Sequence, residues 1–208
     1  TYYEMVAEEY SSNAAHFVVQ FPDTELASNE TIAIALNGAG FYNYYGKRAD
    51  YEIAGTNDAA PDMIEINIGD NPAFNFVSGI IVLFYWDGIS DLIADVDYLP
   101  WGLSFFSSNW MDKTGIEIDG PDADRAMSQY DDDLARASQK AQQPSSGRSI
   151  QRSGLEEVDE ITSGGNGITG HNEAAEDWQS SFVIGNPAPG VFSENPGDGS
   201  GTAVLSPD

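Results

Sequence analysis

Cysteine is absent from the 208 residues, which excludes disulfides, thiolate metal sites and cysteine nucleophiles. Positive charge is almost as scarce: eight lysines and arginines stand against 34 aspartates and glutamates, and the only lysines are Lys47, Lys113 and Lys140. A chain so poor in base lacks the footprint that phosphate contacts require, so direct nucleic-acid binding is not expected. Long apolar runs are missing as well. The longest, residues 80–86, is of strand length and far short of the roughly 18 residues needed to span a bilayer. Residues 1–15 contain Glu4, Glu8 and Glu9 and show neither the basic nor the apolar region of a signal peptide.

What is present is acid, with a formal net charge of −26. In dilute buffer, so many like charges on a small protein oppose compaction. At molar salt the Debye length falls to about 3 Å and most of that repulsion disappears. The balance therefore reads as adaptation to brine. Disorder does not explain it, because disordered chains are poor in aromatics and this one carries ten Tyr, ten Phe and four Trp.

Twenty of those 24 aromatic residues lie at or before Trp110, so the main core is expected in the first half. Strand signals are dense there. Residues 16–21 end at Pro22-Asp23, residues 31–36 end at Asn37-Gly38, and residues 64–68 alternate strictly between isoleucine and polar groups. Residues 80–86 are apolar without alternation, the pattern of a strand buried on both faces or of one whose outer face meets a neighbouring subunit. Residues 102–106 and 116–118 are shorter candidates. Many short strands between Gly, Pro, Asn and Asp point to an all-β fold, a single jelly roll or β-sandwich with long loops. Residues 1–120 are expected to supply most of its core.

One α-helix is expected as an insertion or appendage over residues 121–143. Pro121 suits a first helical position, and Asp122 and Asp124 suit the positive end of the dipole. Ala123, Met127, Tyr130, Leu134, Ala137 and Ala141 form one stripe. Five of the eight basic residues fall between Arg125 and Arg152. This locally basic stretch reads as intrahelical pairing with Asp131, Asp132 and Asp133, or as a contact with an acidic neighbour. Residues 144–208 are rich in Gly, Pro and Ser, with late strand candidates at 178–184 and 201–205. They either complete the sandwich or form an extended arm.

Catalytic signatures are missing. The chain has no Gly-x-Ser-x-Gly elbow, no GxGxxG and no Walker pattern, so an enzyme is not expected. His16 abuts a strand start and reads as structural, and His171 follows Gly170 in a loop and reads as exposed. Acidic stretches at 119–124 and 131–133 do not match an EF-hand. They are expected to hold salt cations loosely, with no designed metal site or cofactor. Asn29-Glu30-Thr31 is an N-glycosylation sequon. Tyrosine and tryptophan are enriched at interfaces, so Phe41, Tyr42, Tyr44, Tyr45, Tyr85, Trp86 and Trp101, with Arg136 and Lys140, are the expected interaction surface.

An acidic, cysteine-free, β-rich chain of this size without a catalytic signature resembles the small major capsid proteins of haloarchaeal icosahedral viruses with an internal membrane. Residues 17–21, 31–36, 64–68 and 80–86 carry the resemblance, which spans roughly residues 10–120 and rests on pattern and composition. It implies a single jelly roll standing upright on the shell, grouped into pseudo-hexameric capsomers, with assembly as its function and no catalytic residues. The implied partners are copies of itself and other capsid proteins, near an internal membrane without insertion. The implied location is the virion, assembled in the host cytoplasm at high salt. The alternatives are a decoration, turret or tail component of a virion, a cell-surface carbohydrate-binding β-sandwich, and a carboxylate enzyme.

Overall fold

The computed structural model describes residues 2–9, 12–28, 30–53, 55, 60–102, 112–131, 133 and 140–191. The fold is strand-rich with few and short helices. Among the described residues the strands pair as five two-stranded ladders, and no barrel closes. The chain forms two compact units. One takes the described residues of Thr1–Tyr10 and Asn75–Ala188, the other those of Ser11–Phe74 and Pro189–Phe192. No helix among the described residues is long and apolar enough to cross a membrane.

In the smaller unit, β1 (Phe17–Gln20) runs antiparallel to β4 (Ile64–Ile68), with Phe17 opposite Ile68 and a bulge between Val18 and Val19. Strands β2 (Ile34–Ala35) and β3 (Tyr51–Glu52) pair in parallel around helix α1 (Gly38–Tyr45). The Asn37-Gly38 pair, which resembles a strand-ending turn, instead starts this helix. Asn37 Oδ1 accepts from Gly40 N at 2.6 Å, and the C-cap Gly46 N donates to Tyr42 O. The buried Glu52 carboxylate accepts from Gly38 N at 2.8 Å, placing negative charge at the positive end of the helix.

The larger unit is organised by β6 (Ala94–Gly102). On one side it pairs antiparallel with β5 (Ser78–Tyr85), Gly79 facing Trp101 and Ile81 facing Leu99, with a bulge between Leu83 and Phe84. Its other side is met by two isolated bridges, Asp95 to Gly167 and Trp101 to Ala141. Tyr98, Leu99, Pro100 and Trp101 are consequently buried. The two-sided burial expected of residues 80–86 falls on β6 instead. No residue of β5 is fully buried. Two short ladders flank this core, β7 (Glu117–Ile118) with β8 (Ser128–Gln129) and β9 (Ser149–Arg152) with β10 (Phe182–Gly185). A 3₁₀ helix at Tyr2–Ala7, another at Glu173–Ala175 and the one-turn α2 (Trp178–Ser181) complete the unit, with Trp178 fully enclosed.

The helix expected over 121–143 is corrected by the structure. Residues 121–131 are bends, extended chain and strand β8, and 140–143 are not helical either. The rest of the segment, with the exception of residue 133, lies outside the described residues. The aspartates that resemble helix-starting charges form local turns: Asp122 Oδ1 accepts from Asp124 N at 2.9 Å, and Asp124 Oδ1 from Ala126 N at 2.6 Å. Such side-chain bonds compete directly with the helical ladder. The 3.6-residue stripe is broken as well, since Tyr130 is buried and Met127 is exposed. Of the late strand candidates, 182–184 lies in β10 while 178–181 is helical. Residues 103–106, 201–205 and the sequon at Asn29 lie outside the described residues.

Gly79 has a packing reason to lack a side chain. A Cβ there would stand 2.3 Å from Trp101 Cζ2, and the ring cannot swing away while its Nε1 donates to Asn75 O at 2.8 Å. Gly79→Val is expected to destabilise the fold by about 1–3 kcal/mol through overpacking, read as a lower urea midpoint at constant molar salt.

Candidate functional site

The expected interaction residues divide by burial. Tyr42 and Tyr44 on α1 and Tyr85 on β5 are exposed, and Phe41, Tyr45 and Trp86 are half-buried. Phe41 and Tyr44 both pack on the Tyr45 ring, and Trp86 Nε1 donates to Ser90 O at 2.7 Å. Trp101 and Lys140 are corrections. They are only 2% and 4% exposed, because Trp101 fills the space over Gly79 and Lys140 immediately precedes Ala141, which bridges to β6. Arg136 lies outside the described residues.

Lys113 is the residue that sequence reasoning missed. It is fully buried, and its Nζ lies 2.5 Å from Asp95 Oδ2 and 2.8 Å from Asp133 Oδ2. It also donates to Tyr98 Oη at 2.9 Å and Tyr2 Oη at 3.1 Å. The rings of Tyr2, Tyr3, Tyr98 and Tyr130 surround it with centroids 5.5–5.9 Å away, within cation–π range. Burial pushes the Tyr2 and Tyr98 hydroxyls well above their ordinary pKa, so both keep their protons. One ammonium thus joins the N-terminal 3₁₀ helix, β6 and the chain around 130–133. Its surroundings satisfy it completely, which marks it as a structural centre.

A second cluster is rich in acid. Arg152 at the end of β9 pairs with Asp97 Oδ1 at 2.8 Å, Glu176 Oε1 at 2.7 Å and Glu157 Oε1 at 3.8 Å, and its guanidinium stacks 4.7 Å from the Phe182 ring. One cation shared among three carboxylates leaves negative charge uncompensated. Burial, with Asp97 and Glu176 adding to it, pushes Glu157 up to about 7. Burial, with Glu157 and Glu160 adding to it, pushes Glu173 up to about 8.

Beside it, the Gly-rich stretch 164–170 folds back on itself and is no linker. An antiparallel bridge joins Ile161 to Asn172, with Asn172 N donating to Ile161 O at 2.8 Å. Alternation across that bridge puts Glu160, His171 and Glu173 on one side. Their ligating atoms all lie within 4.8 Å of one another, and His171 Nδ1 stands 2.8 Å from Glu160 Oε1. His171 is therefore half-buried and partnered, which corrects its reading as an exposed loop residue. A second group, Asp91, Asp119 and Asp122, also meets at ligand distance. There Asp91 is already engaged, accepting from Ser128 Oγ at 2.6 Å and Gly120 N at 2.9 Å.

Two outcomes follow. Lys113→Met leaves Asp95 and Asp133 buried without their cation and is expected to cost about 3–5 kcal/mol, measured by urea unfolding. Glu157 holds its proton more tightly folded than at its ordinary 4.5. Facing Asp97, Glu176, Glu160 and Arg152, it therefore makes stability fall as pH rises from about 4.5 to about 7. Glu157→Gln should flatten that part of the profile of melting temperature against pH, recorded in metal-free buffer at fixed salt.

Comparison with family models, with curated proteins and with solved structures finds no match to this chain.

Proposed function

We propose that this chain is a structural subunit of a halophilic virus particle, working by association with copies of itself. The observation that carries the reading is the free side of β5. Among the described residues β5 hydrogen-bonds to β6 alone, and its sequence SGIIVLFY contains no charge and no proline. Proteins ordinarily block such an edge with lysine, proline, a short strand or a covering element. Here Leu83 and Tyr85 are 43% and 54% exposed, and eight residues of backbone offer a ladder to a partner strand.

The net charge of −26 makes that ladder conditional on salt. Two copies repel strongly in dilute buffer. In brine the repulsion is screened over about 3 Å, and apolar contact plus backbone pairing decides the outcome. A β5-to-β5 contact would be self-complementary, joining copies across a two-fold axis. The exposed Tyr42 and Tyr44 of α1 offer a further apolar contact of the same kind. The jelly-roll form, the virion location and the company of other capsid proteins belong to the same proposal.

Sedimentation at molar salt tests it. The wild-type chain should form dimers or larger species that dissociate as salt is lowered, before secondary structure is lost. The double variant Leu83→Glu, Tyr85→Glu changes only exposed side chains and should stay monomeric at the same concentration. A wild-type chain that remains monomeric throughout overturns the reading.

A further inference from the structure

We propose that Glu160, His171 and Glu173 bind one divalent transition-metal cation of the zinc class, clipping the loop over residues 161–170 shut. Gly167 N donates to His171 O at 2.9 Å, Gly165 N to Gly170 O at 3.3 Å, and Gly170 N to Gly167 O at 2.8 Å. Side chains are barred from two of these positions. A Cβ on Gly165 would stand 2.4 Å from His171 O, and one on Gly167 would stand 2.5 Å from Glu173 Oε1. The glycines therefore bring backbone directly against the His171 carbonyl and the Glu173 carboxylate. The same loop is anchored to β6, with Asp95 N donating to Asn166 O at 2.9 Å and Ile168 N to Asp95 O at 2.7 Å.

The independent sign of a ligand is Glu173. It is only 7% exposed, yet among the described residues its carboxylate accepts no hydrogen bond and forms no ion pair. Enclosure without a cation beside it raises the cost of its charge, and its neighbours Glu157 and Glu160 add repulsion. No basic side chain among the described residues pairs with it, since Arg152 is committed to Asp97, Glu157 and Glu176. The side chain nevertheless brings an oxygen to the His171–Glu160 pair. A cation at that point would neutralise the repulsion and give Glu173 the partner it lacks.

The donor set indicates which cation. One imidazole nitrogen with two carboxylate oxygens suits zinc and its transition-metal neighbours, whereas magnesium and calcium prefer oxygen throughout. Zinc bonds of about 2.0–2.2 Å require the 4.8 Å envelope to contract and the Glu160–His171 contact to open slightly, movements within side-chain torsions. A water would complete four-coordination on the solvent side, where the His171 side chain is 34% exposed.

The full chain, in molar potassium chloride at neutral pH, is dialysed against zinc chloride and then against metal-free buffer. One equivalent should remain bound. His171→Gln and Glu173→Gln should each weaken retention by more than the roughly 10- to 100-fold that loss of an outer partner of a ligand costs, and Glu156→Gln, at an exposed acid outside the group, should leave it unchanged. A second measurement needs no variant: the chain has two histidines, so proton NMR resolves both imidazoles. Zinc should move the His171 imidazole signals at fixed pH and leave those of His16 in place. Magnesium at the same concentration should move neither. Equal zinc retention by wild type and both variants, or His171 signals that zinc leaves unmoved, overturns the proposal.

Discussion

The buried ammonium of Lys113 is the contact on which the larger unit depends. In a chain with so little base, this lysine has no exposure to solvent and is met by two carboxylates, two phenol hydroxyls and four aromatic rings. Buried ion pairs seldom add net stability relative to a well-packed apolar core, yet breaking one is severe. The gain here is specificity of arrangement. Asp95 on β6, Tyr2 near the N-terminus and Asp133 after β8 are far apart in sequence, and only one packing lets all three reach the same nitrogen.

The same logic orders the remaining charge. Arg152 is shared among Asp97, Glu157 and Glu176, and Glu52 closes the N-terminus of α1. Asp95 and Asp133 are met by Lys113, and Asp97 and Glu176 by Arg152. The surface acids serve a different purpose. Exposed carboxylates hold water, and their mutual repulsion weakens as salt screens it. Interior acids are tied to particular partners, and exterior acids are tuned to the medium.

Much of the strand pattern was legible. Ile64–Ile68 forms a strand where the alternation places one, although Ile64 is exposed and Asn67 is half-buried like Ile66 and Ile68. Residues 17–20 pair within the expected run 16–21, and β5 begins two residues before the expected 80–86 and ends at Tyr85. The legible signals were local: side-chain alternation, β-branched content and turn residues. Legibility failed where local signals competed. Asn37 can end a strand or cap a helix, and the chain after it, with Glu52 on Gly38 N, selects the helix. The 121–143 stripe had helical spacing, but aspartate side chains captured the backbone donors first. Of the candidate site residues, Tyr42, Tyr44 and Tyr85 are exposed as a surface role demands. Trp101 is withdrawn into the core because the residue opposite it is a glycine. That Glu160 and His171 are neighbours was hidden, since a glycine-rich stretch between them reads equally as a linker or as a tight return.

By itself the sequence determined the acidic charge balance, the absence of cysteine, the preponderance of strand and the positions of several strands. Each of these follows from composition or from neighbours a few residues apart. Only the tertiary structure decided that β6 is the central strand and that β5 pairs, among the described residues, with β6 alone, that Lys113 is the node of the larger unit, and that Glu160, His171 and Glu173 share a face. Those facts depend on which distant segments lie side by side, and no local periodicity encodes the partner of a strand edge or of a buried charge.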